Sequence, residues 1–205
     1  VADGSVVEFE AWLDGERIQE WSSATVKGDV ATVTEQPWSG PLWSISSPSS
    51  SLFLLNVRVV NPAGKQLDQG VWRTGLRQFS LGEHEFRLNG EVLHLLGSRH
   101  RSGRFLSGLR LLESAGLNLI EFHGEMPPRS VLRDADELGV AIAVLPRCDG
   151  RIQATLEQAS ALKAELSRQD ARMIAQANNA PSVLLWSTEG SALNRKGYSV
   201  GRPLI

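Results

Sequence analysis

The sequence lacks several features that would assign it directly to a class of function. It has one cysteine, Cys148, so it can form no internal disulfide, and oxidising and reducing compartments both remain open. It contains no CxxC or HExxH spacing and no GxxxxGK[ST] phosphate loop. We therefore expect no metal site and no cofactor.

Excess charge and long apolar runs are also absent. The net charge is −2 over 205 residues without any basic run, which argues against a nucleic-acid partner. Apolar runs such as VAIAVL fall far short of the ~20 residues that a membrane helix needs, so we expect a soluble chain. The chain begins VADGSVVEFEAW, without an initiator methionine or a signal peptide, as expected of a processed product or a piece of a longer protein. Its compartment stays open.

The first part of the chain has the short alternating pattern of β-strands. SVVEFEAWL places four apolar residues on one face: Val7, Phe9, Ala11 and Leu13. Turn signals follow at 27–29 and 61–64, and five of the six tryptophans lie before residue 73. Short β-rich segments at this spacing predict an antiparallel β-sandwich over residues 1–80, with tryptophans packed in its core and at its edges.

After residue 81 the pattern changes to an alternation of strands and helices. Asn89-Gly90 predicts a tight hairpin, and two helical segments end at Gly116 and Gly139. The runs LNLIEFHG, VAIAVLP and PSVLLWS read as buried strands, and a long helix is predicted over residues 154–179. This order predicts βαβ units and a parallel sheet.

Six short strings, in order along ~160 residues, resemble glycoside hydrolase family 2, the group of β-galactosidases, β-glucuronidases and β-mannosidases. The strings are GPLWSISSPSSSLFLLNVRVV, VWRTGLRQFSL, FRLNGEVLHLLGSRH, LLESAGLNLIEFHG, ADELGVAIAVLP and NNAPSVLLWSTEG. The resemblance implies an immunoglobulin-like β-sandwich over residues 1–80, followed by α/β structure. Residues 81–205 would form the N-terminal half of a TIM barrel, a partial (β/α)8 barrel of about four βα units.

The resemblance also implies an activity. Family members cleave β-linked sugars with retention, using one glutamate after barrel strand four as acid/base and a second after strand seven as nucleophile. Such chemistry needs two carboxyl groups about 5–5.5 Å apart. A closed barrel takes about 250 residues, so the second carboxylate would lie beyond this sequence. We expect the chain to pair with another copy or with a missing C-terminal barrel half.

The strand ends that would carry the site depart from the family pattern. Glu189 comes two residues before the expected acid, and Gly190 and Ser191 occupy the family's Asn-Glu positions. Glu121 stands where the family has arginine. The candidate catalytic residue is Glu189, with a solvated loop glutamate as the alternative. The candidate substrate-binding residues are Arg99, His100, Glu121, His123 and Trp186; a structural Glu121–His123 hydrogen bond and a surface turn at Arg99–His100 are the alternatives.

Two functions from different classes follow from these observations. The first is O-glycoside hydrolysis by the parent protein, with a β-glycoside as substrate and this chain inactive alone. The second is a non-catalytic carbohydrate-binding or assembly module derived from a glycosidase scaffold, favoured by the altered strand ends. A nucleotide-binding flavodoxin-like domain is disfavoured by the lack of a glycine-rich turn. Cys148 lacks an evident base, which favours an idle thiol over a nucleophile. The sugar and linkage are not encoded in any recognisable motif.

Overall fold

The computed structural model describes residues 4–22, 26, 37–82, 84–100, 108–123, 126–145, 177, 179–186 and 199–200. They form two compact units. The N-terminal unit contains the described residues up to Trp43 together with Ser50–Leu76, and the C-terminal unit contains Ser44–Ser49 and the described residues from Arg77 onward. Among the described residues, every helix is too short or too polar to cross a bilayer.

The N-terminal unit is built on one antiparallel sheet. Its strands are β1 (Val6–Leu13), β2 (Glu16–Ser22), β3 (Phe53–Val60) and β4 (Gln66–Thr74), in the order β2-β1-β3-β4. A single 3-10 turn, Ser49–Ser51, precedes β3. The predicted hairpin at 27–29 lies outside the described residues. The second layer of an immunoglobulin-like sandwich also stays a prediction, since the described residues of this unit contain one sheet.

Two turns connect the hairpins of this sheet. At the predicted 61–64 turn, the Asn61 side chain accepts hydrogen bonds from the backbone N–H groups of Ala63 and Lys65 at 3.0 and 2.8 Å, so this turn is confirmed. The β1–β2 turn was not predicted, although Asp14-Gly15 is a strong hairpin signal. Both of its residues have positive φ, 50° and 85°, as a type I′ turn requires.

The aromatic residues of this unit range from fully buried to exposed. Trp43 is fully buried, and its backbone N–H donates to the Leu76 carbonyl oxygen at 2.7 Å. Phe9 and Trp21 face each other across β1 and β2, with ring centroids 5.7 Å apart. The tryptophans thus take part in both the core and the sheet edges, since Trp72 lies exposed on β4.

The other face of the sheet carries a polar network centred on Glu10, which is only 7% exposed. Its carboxylate accepts hydrogen bonds from Asn56 at 2.9 Å, Trp12 at 3.4 Å, Arg17 at 3.3 Å and Arg58 at 3.2 Å. The Asn56 hydrogen bond is the largest influence on the pKa of Glu10. Burial acts in the opposite direction, and Trp12 and the two arginines add to the lowering. The net result is a pKa below the ordinary glutamate value.

The C-terminal unit begins with a small antiparallel sheet. Its strands are β5 (Phe79–Leu81), β6 (Phe86–Leu88) and β7 (Glu91–Leu93). Asn89 and Gly90 form the β6–β7 turn with φ values of 55° and 87°. The hairpin predicted from Asn89-Gly90 is therefore confirmed.

A five-stranded sheet follows. Its strands are β8 (Gly97–Arg99), β9 (Leu119–His123), β10 (Ala141–Leu145), β11 (Val183–Trp186) and β12 (Ser199–Val200). The first four are parallel and lie in chain order, and β12 runs antiparallel beside β11. The predicted parallel sheet is confirmed. Its curvature into half of a barrel stays a prediction, and the predicted helix over 154–179 lies almost entirely outside the described residues.

Two described helices connect these strands, α1 (Gly108–Ser114) and α2 (Arg129–Leu138). They cover one face of the parallel sheet and enclose an apolar core: Leu109, Ile120, Phe122, Val131, Leu132, Ala135, Val140, Ile142, Val144, Ala177, Ala180 and Val183. Both helices end at the predicted glycines, and Gly116 and Gly139 have φ values of 73° and 71°. At Gly139, an added Cβ would lie 2.3 Å from the Ile45 carbonyl oxygen, so the segment Ser44–Ser49 fits here only against a glycine.

Candidate functional site

The candidate site lies where the parallel strands end. Because β8, β9, β10 and β11 run in the same direction, their carboxyl ends meet at one edge of the sheet. The described residues at these ends are Arg99, His123, Leu145 and Trp186. This edge is where a βα protein carries its chemistry, whereas the opposite edge mainly contributes to stability.

Arg99 and Glu121 are the two charged residues that the structure brings together at this edge. They face each other in the β8–β9 register, and Arg99 Nε lies 3.7 Å from Glu121 Oε2. Ile120 and Phe122 belong to the core under the helices, so alternation directs Glu121 to the opposite face of the sheet. On the other side Glu121 lies opposite Ala143, which is fully buried.

The exposure of this pair differs between its two members. The Arg99 side chain is 63% exposed, whereas that of Glu121 is 21% exposed. An ion pair of this length and exposure contributes little to stability, about 0–1 kcal/mol. The pair therefore combines a guanidinium donor and a partly buried carboxylate acceptor, which are complementary to the hydroxyl groups of a ligand.

His100 lies on the other side of the sheet from Arg99. Its backbone N–H donates to the Glu121 carbonyl oxygen at 2.8 Å, and its ring centroid lies 4.9 Å from that of the buried Phe122. The two neighbouring residues predicted to contact sugar therefore separate: Arg99 joins Glu121, and His100 joins the aromatic core. A packing role fits this position of His100 better than ligand contact.

Trp186 also lies toward the helices. It is opposite Val144 in the β10–β11 register, after an irregularity that shifts the pairing, and it packs against the hydrophobic core. The interpretation of Trp186 as a substrate-binding residue stays a prediction.

Of the three remaining candidates, His123 alone lies in a described strand. His123 is the last residue of β9, opposite Leu145, and its side chain lies outside the described residues, so the proposed Glu121–His123 pairing stays a prediction. Glu189 and Cys148 also lie outside the described residues. Within the described part of the chain, no group of three metal-binding side chains comes together.

The opposite edge of the sheet contains polar contacts that sequence reasoning missed. Arg77 donates a hydrogen bond to the Val183 carbonyl oxygen, and its burial lowers its pKa to about 10, an effect that nearby Asp136 partly offsets. The buried Asp136 carboxylate in turn accepts from the Ser182 backbone N–H at 2.9 Å. These contacts connect α2, β11 and the segment before β5.

Asn118 connects β9 to the chain entering β8 in a similar way. Its side chain accepts from the Leu96 N–H at 2.8 Å and donates to the His94 carbonyl oxygen at 2.8 Å. The sequence could have drawn attention to these residues, because the strings that carry the family resemblance contain all three: Arg77, Asn118 and Asp136. The strings gave no role for them, since each role depends on a contact made across the fold.

Comparisons with known proteins place this geometry in a structural class. Neither a protein-family model nor a curated protein sequence matches the chain. Solved structures do match, and the chain has the fold of the corresponding region in glycoside hydrolase family 2 structures. The resemblance inferred from the six strings is confirmed at the level of the fold.

Three of the similar structures define the extent of the match. A β-glucuronidase from Parabacteroides merdae aligns with a TM-score of 0.70 and 21% identity, over 90% of this chain and 25% of its own. A β-glucuronidase from Ruminococcus gnavus, in complex with D-glucaro-d-lactam, gives 0.72 and 18% over 93% and 33%. A family 2 member from Bacteroides cellulosilyticus gives 0.66 and 21% over 90% and 26%. The chain thus spans about a quarter to a third of these proteins.

Proposed function

We propose that the chain is the front part of a glycosidase-type protein whose parent activity is hydrolysis of β-O-glycosidic bonds. The observation that carries this proposal is the fold likeness over 90% of the chain to β-glucuronidases and family 2 members. The fold likeness supports the class of substrate, a β-linked carbohydrate. In this proposal residues 1–80 form the immunoglobulin-like sandwich and residues 81–205 the first half of the barrel.

The isolated chain is inactive in this proposal, because retaining hydrolysis requires two carboxyl groups on opposite sides of the glycosidic bond. At the carboxyl edge of the parallel sheet, Glu121 is the one carboxylate among the described residues, and it lies beside Arg99. A single carboxylate at this edge does not provide the pair that the reaction requires. Glu189 remains the candidate acid, and the nucleophile comes from a C-terminal barrel half.

A non-catalytic carbohydrate-binding module is the second candidate. The specific observation in its favour is the Arg99–Glu121 pair itself, which offers donors and an acceptor on one face without the spacing of a catalytic acid and nucleophile. In this reading Arg99 and Glu121 hold sugar hydroxyl groups, His123 extends the same edge, and His100 and Trp186 support the strands from the helix side.

Hydrolysis of 4-nitrophenyl β-glycosides, including the β-glucuronide, β-galactoside and β-mannoside, tests the first candidate. We expect no turnover by the wild-type chain and none by Glu189→Gln. Turnover by the wild type that is lost in Glu189→Gln would contradict the proposed inactivity and would assign the acid to Glu189.

Binding of the same sugars, followed by ligand-observed NMR, separates the two candidates. A binding module predicts saturable binding that Glu121→Gln and Arg99→Gln both weaken. The matched control is Arg133→Gln on α2, since Arg133 forms an exposed 3.4 Å ion pair with Asp134 and lies away from the strand ends. Equal binding by all variants would exclude the Arg99–Glu121 pair as the sugar site.

A further inference from the structure

The turn between β6 and β7 contains a chemically labile pair of residues to which the proposed function gives no role. Asn89 and Gly90 form the one Asn-Gly pair in the sequence. Asparagine is among the less stable side chains, and the backbone nitrogen of the following residue can attack its amide carbon. Glycine hinders this attack least because it has no Cβ. Asn89 is partly exposed and Gly90 is exposed, so water reaches the pair.

A backbone donor is fixed on the side-chain carbonyl group of Asn89. Its Oδ1 accepts a hydrogen bond from the Gln78 backbone N–H at 2.9 Å, and the Asn89 N–H donates to the Gln78 carbonyl oxygen at 2.7 Å. Attack on Cγ turns Oδ1 into an oxyanion, and a fixed backbone N–H stabilises such a charge. Gln78 therefore supplies a group that assists the attack.

The pairing of β6 with β7 is short, so the turn can open locally. Each strand has three residues, β7 lies at one end of the order β5-β6-β7, and among the described residues only β6 pairs with it. Val92, at the centre of β7, is 43% exposed. Short strands with few buried contacts open well below the free energy of global unfolding. Opening on the β7 side lets the Gly90 nitrogen approach the side chain, while the Gln78 contacts lie on the β5 side.

We propose that Asn89 is a site of spontaneous deamidation in the folded chain. The Gly90 nitrogen loses its proton and forms a bond to Asn89 Cγ, the bond from Cγ to the side-chain NH2 group breaks, and ammonia leaves with that proton. The resulting succinimide ring then takes up a water molecule. Opening at one carbonyl gives aspartate, and opening at the other gives isoaspartate, which places an extra methylene in the main chain. Both products add a negative charge to the turn.

Asn61 is the matched internal control. It also lies in a turn, is partly exposed, and accepts backbone hydrogen bonds through its side-chain oxygen. Its successor, Pro62, has no N–H, so the attacking nitrogen is missing. Asn118 provides a second comparison, since its side chain is bonded through both its oxygen and its nitrogen and its successor Leu119 is buried. We therefore expect neither to react at the rate of Asn89.

Trypsin digestion and mass spectrometry of the full chain, aged at mildly alkaline pH and compared with a fresh sample, test the proposal without any variant. Residues 88–99, 59–65 and 111–129 form separate tryptic peptides, each with a single asparagine: Asn89, Asn61 and Asn118. The mass increase from exchange of NH2 for OH should accumulate at least about tenfold faster at Asn89 than at the other two. Similar rates at all three, or conversion of Asn89 only in urea, would overturn the proposal.

Two glycine variants test which nitrogen attacks. Gly90→Ala places a Cβ beside the attacking nitrogen and should slow conversion of Asn89 at least about fivefold. Gly64→Ala is the matched control, because Gly64 also lies in a turn, both glycines have positive φ, and an added Cβ at either meets no described atom within 4 Å. The control should leave the rate at Asn89 unchanged. An unchanged rate in Gly90→Ala, or equal slowing in both variants, would exclude attack by the Gly90 nitrogen.

Discussion

Replacement of Glu10 by glutamine tests whether the polar network stabilises the N-terminal sheet. The Glu10 carboxylate accepts four side-chain hydrogen bonds, two on each oxygen: Asn56 and Trp12 on Oε2, Arg17 and Arg58 on Oε1. A glutamine keeps one oxygen and turns the other into a donor, so two of the four donors lose their acceptor. The less costly orientation directs the new NH2 group toward the arginines, which are partly exposed and can turn to water.

The expected loss of stability follows from this orientation of the glutamine, in which the two arginines lose their acceptor. Hydrogen bonds to charged groups contribute about 1.5–3 kcal/mol each, and partial exposure of both arginines reduces this to roughly 1–1.5 kcal/mol each. We therefore expect Glu10→Gln to lower the free energy of unfolding by about 2–3 kcal/mol. The matched control is Glu20→Gln, since the Glu20 side chain is 53% exposed and shares the Arg17 partner, at 2.8 Å. That control should cost about 0–1 kcal/mol.

Tryptophan fluorescence during urea unfolding is the appropriate assay. Trp12, Trp21, Trp38, Trp43 and Trp72 all belong to the N-terminal unit, so the emission reports mainly on that unit. A Glu10→Gln effect no larger than that of Glu20→Gln would refute the reasoning, because it would mean that burial and the additional donors contribute nothing beyond an exposed ion pair.

The pH dependence of the same variant provides an independent check of sign. The folded-state pKa of Glu10 is lowered, so its contribution is fully present above the unfolded-state pKa and is lost as pH falls through the folded-state value. The stability difference between wild type and Glu10→Gln should therefore be constant near neutral pH and shrink in acid. A difference that grows in acid would contradict the lowered pKa.

Three further predictions concern the C-terminal unit, and chemical unfolding followed by circular dichroism checks each of them. Gly139→Ala should lower the free energy of unfolding by well over the about 1–2 kcal/mol that a left-handed alanine costs, because the new Cβ meets the Ile45 carbonyl oxygen. Gly116→Ala is the control: its φ is also positive but the space around it is open, so it should cost only about 1–2 kcal/mol. Equal losses in the two variants would contradict the close approach at Gly139. Arg77→Met removes a buried donor to the Val183 carbonyl oxygen and should cost about 2–4 kcal/mol, and a neutral result would exclude a stabilising role. Asn118→Ala should cost about 1–3 kcal/mol and accelerate hydrogen exchange at the Leu96 amide, whose acceptor it removes, and unchanged exchange there would contradict this.

Elements with a local signal could be predicted from the sequence, whereas contacts between distant residues could not. Asn89-Gly90 and the glycines after both helices determine their own φ values, and the apolar run VAIAVLP contains the predicted strand, Ala141–Leu145. The burial of Glu10 was not predictable, because its partners on β3 lie 46 and 48 residues away and meet it only through strand register.

The candidate site shows the same limit. Alternation along β9 correctly suggests that Glu121 faces away from its core neighbours, but its partner Arg99 depends on the β8–β9 register, which no string encodes. Register likewise separates His100 from Arg99, although the two are adjacent in sequence. Residue types at the strand ends therefore predict an edge of the sheet for the candidate site, but they do not indicate which of these residues share a face of the sheet.

The separation of polar contacts between the two edges of the parallel sheet has a consequence for the evolvability of this chain. The contacts of Arg77, Asp136 and Asn118 lie at the edge where strands begin, away from Arg99 and Glu121 at the edge where strands end. Substitutions at the latter edge leave the former contacts intact, so the usual conflict between gaining a new activity and retaining stability is weakened here. A library that randomises the strand ends should therefore retain a high fraction of folded members, which makes this chain a suitable starting scaffold for new binding activities.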